Sequence, residues 1–249
     1  MRSTLFGLTA LAAAAVSAPA LAQDEPASPI TLTGSATVVS DYRFRGISQS
    51  NKRFAVQGGL TATHSSGLYA SVWGSSVDDY IAAGSDAELD LILGYATTVA
   101  GLTVDGGVLY YYYPGAESII PGYNSDFFEP YLSVKGTVGP ATIKVGAAYA
   151  PKQSALSIGA GKEDNFYLYS DVSASIPETP VSLTAHVGHS FGPSYLTIGK
   201  EYTDWSVGAT YTYKNLTFGV SYVDTDKALV LGTRNIAKAG VVGSIGVAF

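Results

Sequence analysis

From about residue 30 to the last residue, apolar and polar side chains alternate with a period of two. Between Leu102 and Tyr113 one face carries Leu102, Val104, Gly106, Val108, Tyr110 and Tyr112, and the other carries Thr103, Asp105, Gly107, Leu109, Tyr111 and Tyr113. Successive side chains of a strand point to opposite faces, so this segment has an apolar side and a more polar side. Ala141, Ile143, Val145, Ala147 and Tyr149 oppose Thr142, Lys144, Gly146 and Ala148 in the same way, and Leu183, Ala185 and Val187 oppose Ser182, Thr184 and His186. Continued along the chain, the alternation predicts twelve strands, near 32–44, 54–64, 68–77, 87–97, 102–113, 127–137, 141–151, 166–176, 181–190, 204–213, 216–224 and 239–249. Most are about ten residues long, the length a tilted strand needs to cross a bilayer.

The connections alternate between short and long. HSSG at 64–67, VAG at 99–101, VGP at 138–140, PETP at 177–180 and KN at 214–215 are short and rich in turn formers. The connections at 45–53, 78–86, 114–126, 152–165, 191–203 and 225–238 are longer. Short periplasmic turns and long outer loops characterise membrane barrels, and an even strand count puts both termini on the short-turn side. The expected fold is all-β: a transmembrane, antiparallel, up-and-down β-barrel of about twelve strands. A soluble β-sandwich also alternates, but it needs neither this loop asymmetry nor a charge-free outer band.

The outward faces carry no charge in strand centres, where Arg or Lys would cost about 2–4 kcal/mol; Asp224 is the misfit, at a loop end. Outward aromatics fall near strand ends. Tyr42, Phe44, Tyr110, Tyr112, Phe128, Tyr149, Phe166, Trp205 and Tyr222 are expected to ring one interface, and Tyr95, Tyr213, Phe218 and Phe249 the other. The last strand places Val241, Gly243, Ile245, Val247 and Phe249 on one face, and a closing terminal Phe resembles the signal read by outer-membrane assembly machinery.

Residues 1–22 read as a secretory signal peptide, with Arg2 as the basic start, Leu5 to Ala18 as the apolar stretch and Ala20-Leu21-Ala22 as the cleavage site. Residues 23–249 are then the barrel. Removing Arg2 takes the formal net charge from −6 to −7, far from a basic nucleic-acid footprint. Charged residues make up 14% of the chain, against about 25% in typical soluble domains. There is no cysteine, so disulfides and thiolate metal sites are excluded.

The stretch 40–79 carries DYRFRGISQS, then QGG, then HSSGLYASVW. In that order these motifs resemble the opening of the TorF-like porins, a proteobacterial family of outer-membrane proteins. The resemblance is densest over residues 34–79, and the hairpin rhythm and terminal Phe continue it. The family pattern has proline where this chain has Phe54, a change confined to the loop exit. The resemblance implies a pore in the outer membrane of a Gram-negative bacterium, with outer-membrane lipid, the assembly machinery and small hydrophilic solutes or ions as partners, and no cofactor.

In such a pore the inward side chains set width and field. Alternation puts Asp41, Arg43 and Arg45 inward on the first strand and its loop, with Arg53 across that loop. Asp86, Glu88 and Asp90 form an inward acidic ladder on the fourth strand; Asp105, Glu129, Lys135, Lys144, Asp171, His186 and Asp204 also point inward. The arginines are the candidate anion contacts and the ladder the candidate cation contacts. Equally, these charges pair and fill a narrow barrel, as side chains do in small barrels. The alternative function is therefore a non-conducting structural, adhesion or assembly-linked barrel. Enzymatic activity is not expected: His64 and Ser66 have the spacing of a lipid hydrolase pair but sit in a short turn, and His186 and His189 are followed two residues on by Gly188 and Phe191. Asp78, Asp79 and Asp86 lack the spacing of a calcium loop.

Overall fold

A computed structural model describes residues 28–116, 124–159 and 161–249. The expected signal peptide at 1–22 and part of the connection at 114–126 lie outside the described residues. In chain order the elements are β1 (Ile30–Val39), β2 (Arg43–Phe44), β3 (Ile47–Ser48), β4 (Ala55–His64), β5 (Leu68–Ser76), β6 (Ala87–Val99), β7 (Leu102–Tyr112), β8 (Phe127–Val138), β9 (Ala141–Ile158), β10 (Gly161–Ser175), β11 (Val181–Phe191), a single 3₁₀ turn (Tyr195–Thr197), β12 (Tyr202–Tyr213), β13 (Leu216–Thr225), β14 (Val230–Leu231), β15 (Arg234–Asn235) and β16 (Gly240–Ala248).

Twelve of these strands close into an antiparallel barrel in the order β1-β16-β13-β12-β11-β10-β9-β8-β7-β6-β5-β4. The seam is β1 on β16, with Ser35 opposite Ala248 and Val39 opposite Ser244. It is extended by Phe249, whose backbone exchanges hydrogen bonds with Gly34 at 2.7 and 2.9 Å. Closure removes every sheet edge, so no backbone donor of the wall is left facing hydrocarbon. Among the described residues no helix is long and apolar enough to cross a membrane. The outer wall is apolar, with Leu60, Leu93, Leu132, Val145, Leu183, Val207 and Ile245 all exposed on it.

The short turns sit where the sequence puts them, and two show why. Ala100 and Gly101 between β6 and β7 have φ of 51° and 83°. A two-residue hairpin with both residues left-handed matches the twist of its strands. Three inward tyrosines lie directly opposite a glycine on the neighbouring strand: Tyr69 opposite Gly94, Tyr131 opposite Gly107 and Tyr169 opposite Gly146. A methyl group on Gly94 or Gly146 would meet the opposing ring at 2.5 Å. The missing Cβ is what lets each ring lie flat on the wall.

The long connections depart from the expectation. The first barrel strand ends at Val39, not at residue 44. Residues 43–48 fold back as the two-residue hairpin β2–β3, turned by Arg45 and Gly46 at φ 48° and 78°. This hairpin lies inside the mouth, so Tyr42 is buried and Phe44 packs against buried Tyr111 instead of joining the outer aromatic ring. Residues 152–158 and 161–165, expected as loop, continue β9 and β10 past the rim, and Ala155 and Leu156 bend over the mouth to join Leu109, Tyr111 and Phe127 in an apolar cluster. Residues 229–237, carrying β14 and β15, cover the other side through Leu229 and Ile236, which pack with Ile47 of β3. The apolar core of this protein thus sits inside the barrel at the long-loop end. The other rim aromatics, Tyr110, Tyr112, Phe128, Tyr149, Phe166 and Tyr222 at one end and Tyr95, Tyr213, Phe218 and Phe249 at the other, are exposed on the outer wall, with Trp205 half-buried.

Candidate functional site

The interior has two levels. Beneath the mouth, toward the short turns, the inward positions on β11, β12, β13, β16, β1, β4 and β5 are small and polar: Thr184, Ser206, Ser221, Ser244, Thr37, Thr61 and Ser71. This half of the wall carries hydroxyls and little bulk. The opposite half, β6 to β10, carries most of the charges and tyrosines, joined by Tyr69 of β5, His186 of β11 and Tyr202 and Asp204 of β12.

At the mouth, Glu88 and Asp90 of β6 and Glu129 of β8 project inward and are nearly fully buried. Glu88 accepts hydrogen bonds from the Tyr42 hydroxyl at 2.7 Å and the Tyr113 hydroxyl at 2.9 Å. Glu129 accepts from Arg45 at 2.7 Å and from Tyr111 at 3.3 Å. Asp90 Oδ1 and Glu129 Oε1 are buried with no hydrogen-bond partner among the described residues. Of these three carboxyl groups, Glu129 is the one paired with the Arg45 guanidinium.

Arg45 reaches across the barrel from the tip of the β2–β3 turn. Besides Glu129 it donates to Asn165 Oδ1 at 3.1 Å, and its guanidinium lies 4.1 Å from the Tyr167 ring centre and 4.7 Å from that of Phe44. The Tyr202 hydroxyl donates to the Arg45 carbonyl at 2.9 Å. One residue of the first loop is thereby tied to β8, β10 and β12. Gly46 is tight for the same reason: a Cβ there would lie 2.5 Å from Thr225 and 2.9 Å from Asp204.

Lower in the lumen the charges are paired. His186 bridges Asp171 (Nδ1, 2.6 Å) and Asp204 (Nε2, 3.1 Å), and the Tyr167 hydroxyl lies 2.9 Å from His186 Nε2. Lys144 is 3.8 Å from Asp171 and 5.1 Å from the Tyr169 ring centre. Lys135 stands opposite Lys144 in the β8–β9 pairing. Asp105 accepts from Tyr69 at 2.7 Å, and Tyr69 also meets Tyr131.

Other charges expected in the lumen sit elsewhere. Asp41 and Arg43 pair at 2.6 Å at the base of the inserted hairpin. Asp86 is exposed in the loop before β6, outside the strand that carries Glu88 and Asp90. The Arg53 side chain is 71% exposed and pairs with Asp78, which is 3% exposed. Asp78 is thus held by guanidinium, and among the described residues no three His, Asp or Glu side chains gather as a metal site. His64 Nδ1 and the Ser66 hydroxyl lie 2.8 Å apart, exposed in a short turn. Outside the strands, burial pushes the Tyr80 phenol above its ordinary pKa, and its hydroxyl donates to the Ser48 carbonyl at 2.5 Å. Sequence reading missed Asn165 and the tyrosines that hold Glu88. Only Tyr113 carried inward parity; alternation put Tyr42 outward, and Asn165 lay in a stretch expected as loop.

A closed, even-stranded antiparallel barrel with an apolar outer wall and a charged interior is a barrel of the outer-membrane type. The chain matches, over residues 23–248, the family described as bacterial protein of unknown function (Gcw_chp), and it belongs to that family. No curated protein sequence matches it. Among solved structures it is similar to the KdgM porin in complex with disordered oligogalacturonate, with a TM-score of 0.55 and 9% identity over 88% of this chain and 98% of that one. It is also similar to an outer membrane channel from Pseudomonas putida F1, with a TM-score of 0.52 and 13% identity over 91% and 99%. At these identities the likeness is one of fold.

Proposed function

We propose that the protein is an outer-membrane porin, a narrow channel for passive diffusion of small hydrophilic solutes or ions, with its constriction at the long-loop mouth. The observation that carries this reading is the pair of buried carboxylate oxygens, Asp90 Oδ1 and Glu129 Oε1, that no group among the described residues bonds. A buried polar atom without a partner is costly, and a hydrated cation in transit satisfies both. The Ser- and Thr-lined lumen beneath gives such a cation a polar path. The two similar structures, a porin and an outer membrane channel, support the reading, as does the resemblance of residues 40–79 to the TorF-like porins.

Reversal potentials across a planar bilayer under a salt gradient test it. Wild-type protein is expected to prefer cations, and Glu88→Gln with Asp90→Asn is expected to reduce that preference severalfold. An unchanged reversal potential in the double variant removes the acidic constriction from the mechanism.

The second reading, a non-conducting barrel, draws on the apolar packing of Leu156, Phe127 and Ile236 over the mouth.

Localisation and assembly follow from the same proposal. A family match beginning at residue 23 supports a leader removed after Ala22 and export to the outer membrane of a Gram-negative bacterium. Phe249, 72% exposed on the outer wall with its ring over Gly34, is the proposed assembly signal. Phe249→Ala should lower the yield of heat-modifiable barrel in membranes while protein refolded in detergent stays unaffected; equal yields in membranes would exclude that role.

A further inference from the structure

Above the inserted hairpin, on the long-loop side, lies a cavity of about 200 Å³ with mixed polar and apolar walls. It is lined by Lys52 and Asn51 from the first loop, Tyr80 from the β5–β6 connection, and Arg234 and Asn235 from β15. Its cations are poorly matched. Lys52 Nζ has the Asn235 carbonyl at 3.4 Å. Arg234 has Asp78 at 3.7 Å, beyond hydrogen-bond range, and lies 5.7 Å from the Tyr80 ring centre. Asp78 is already engaged by Arg53. Asp41, the other carboxylate near this loop, is taken by Arg43 and the Ser48 hydroxyl. No carboxylate lines the cavity among the described residues. Among the described residues, two positive side chains thus line one small space with most of their donors unused, and two asparagines stand beside them.

The backbone holds the cations there. Asn51 and Lys52 are consecutive left-handed residues, with φ of 52° and 59°, and neither is glycine. Arg53 N–H closes the turn on the Ser50 carbonyl at 3.0 Å, and Lys52 N–H donates to the Ser48 hydroxyl at 3.0 Å. Left-handed backbone at non-glycine residues is retained where the surroundings fix it, often at ligand clamps.

We propose that this cavity is a binding site for a small soluble oxyanion, a carboxylate or a phosphate, captured at the outer mouth. A guanidinium matches the paired oxygens of either group, while an ammonium and amide N–H groups complete the shell. The walls come from segments that fold over the mouth, with Lys52 and Arg234 exposed to water, so the occupant comes from solution and not from the lipid surface. The site rests on the porin reading only in taking the long-loop side as the outer face.

Titration calorimetry on the refolded full barrel in detergent, in a buffer free of other oxyanions, tests the site, with inorganic phosphate and glucuronate as separate probes. Saturable binding of at least one probe at millimolar concentration is expected, and Lys52→Gln with Arg234→Gln should weaken it about tenfold or more. Whichever probe binds defines the oxyanion. Lys214→Ala, which removes a charge at the opposite rim, should leave binding unchanged. If the double variant does not fold, Arg234→Gln alone serves, because that side chain is 53% exposed. Absence of binding by both probes, or equal binding by the variant, overturns the site. Ion conductance measured on the same preparation is independent: loss of the anion site with conductance intact leaves the porin reading standing.

Discussion

Arg45→Ala is expected to open the mouth and weaken the barrel together. The arginine and Glu129 are 4% and 2% exposed, and removing one partner leaves the other buried without a counter-charge. Breaking a buried pair of this kind costs about 3–5 kcal/mol. Arg45 also ties the β2–β3 turn to Asn165 on β10 and lies against Tyr167, so its loss frees the inserted hairpin from the far wall. Single-channel conductance should rise severalfold, and the heat-induced gel-mobility shift should occur at lower temperature. A thermal shift without a conductance change would make Arg45 a structural strut and place the constriction elsewhere.

Gly188→Ala is expected to be a damaging single-methyl addition in the wall. A Cβ at Gly188 would collide with the Tyr167 hydroxyl. A hydroxyl at the end of a side chain normally moves aside. Here the ring is buried, covered by the Arg45 guanidinium, hydrogen-bonded to His186 and Asp204, and stacked 5.6 Å from Tyr169. Overpacking a filled site costs about 1–3 kcal/mol, and the displaced ring would disturb Arg45 as well. Gly58→Ala is the matched control. It faces outward with, among the described residues, the Ser35 carbonyl alone near its Cβ, at 3.5 Å, and should be close to neutral. Equal thermal midpoints for the two variants would show that Tyr167 is not fixed as described.

The barrel was legible because its signal repeats. Each strand alternates, and a register error in any one of them would turn a lipid-facing row such as Leu89, Leu91 and Leu93 inward. The mouth was less legible. DYRFRGISQ continues the alternation of β1, so Tyr42 and Phe44 read as outward, yet Arg45-Gly46 makes a left-handed turn that returns the chain into the lumen. The adjacent Arg-Gly pair was the available cue, since Gly at such a position supplies the positive φ of a two-residue hairpin. Similarly, KQSALSI between residues 152 and 158 has too little periodicity to read as strand; it extends because β9 and β10 go on pairing beyond the rim, through register shifts around Glu163. Inward parity identified Glu88, Asp90, Glu129, Lys144, Asp171, His186 and Asp204. It could not tell which of them a folded-back loop would neutralise. Asp86 shares the parity of Glu88 but lies beyond the strand, where parity loses meaning.

Single-channel recording of the folded wild-type barrel in a planar bilayer tests the central claim most directly. Small, discrete and reproducible conductance steps, with a reversal potential of cation-preferring sign, are expected of a polar lumen closed to a narrow acidic mouth. Electrical silence from protein shown to be folded by its heat-modifiable mobility would contradict a diffusion channel and leave the non-conducting barrel as the reading of this fold.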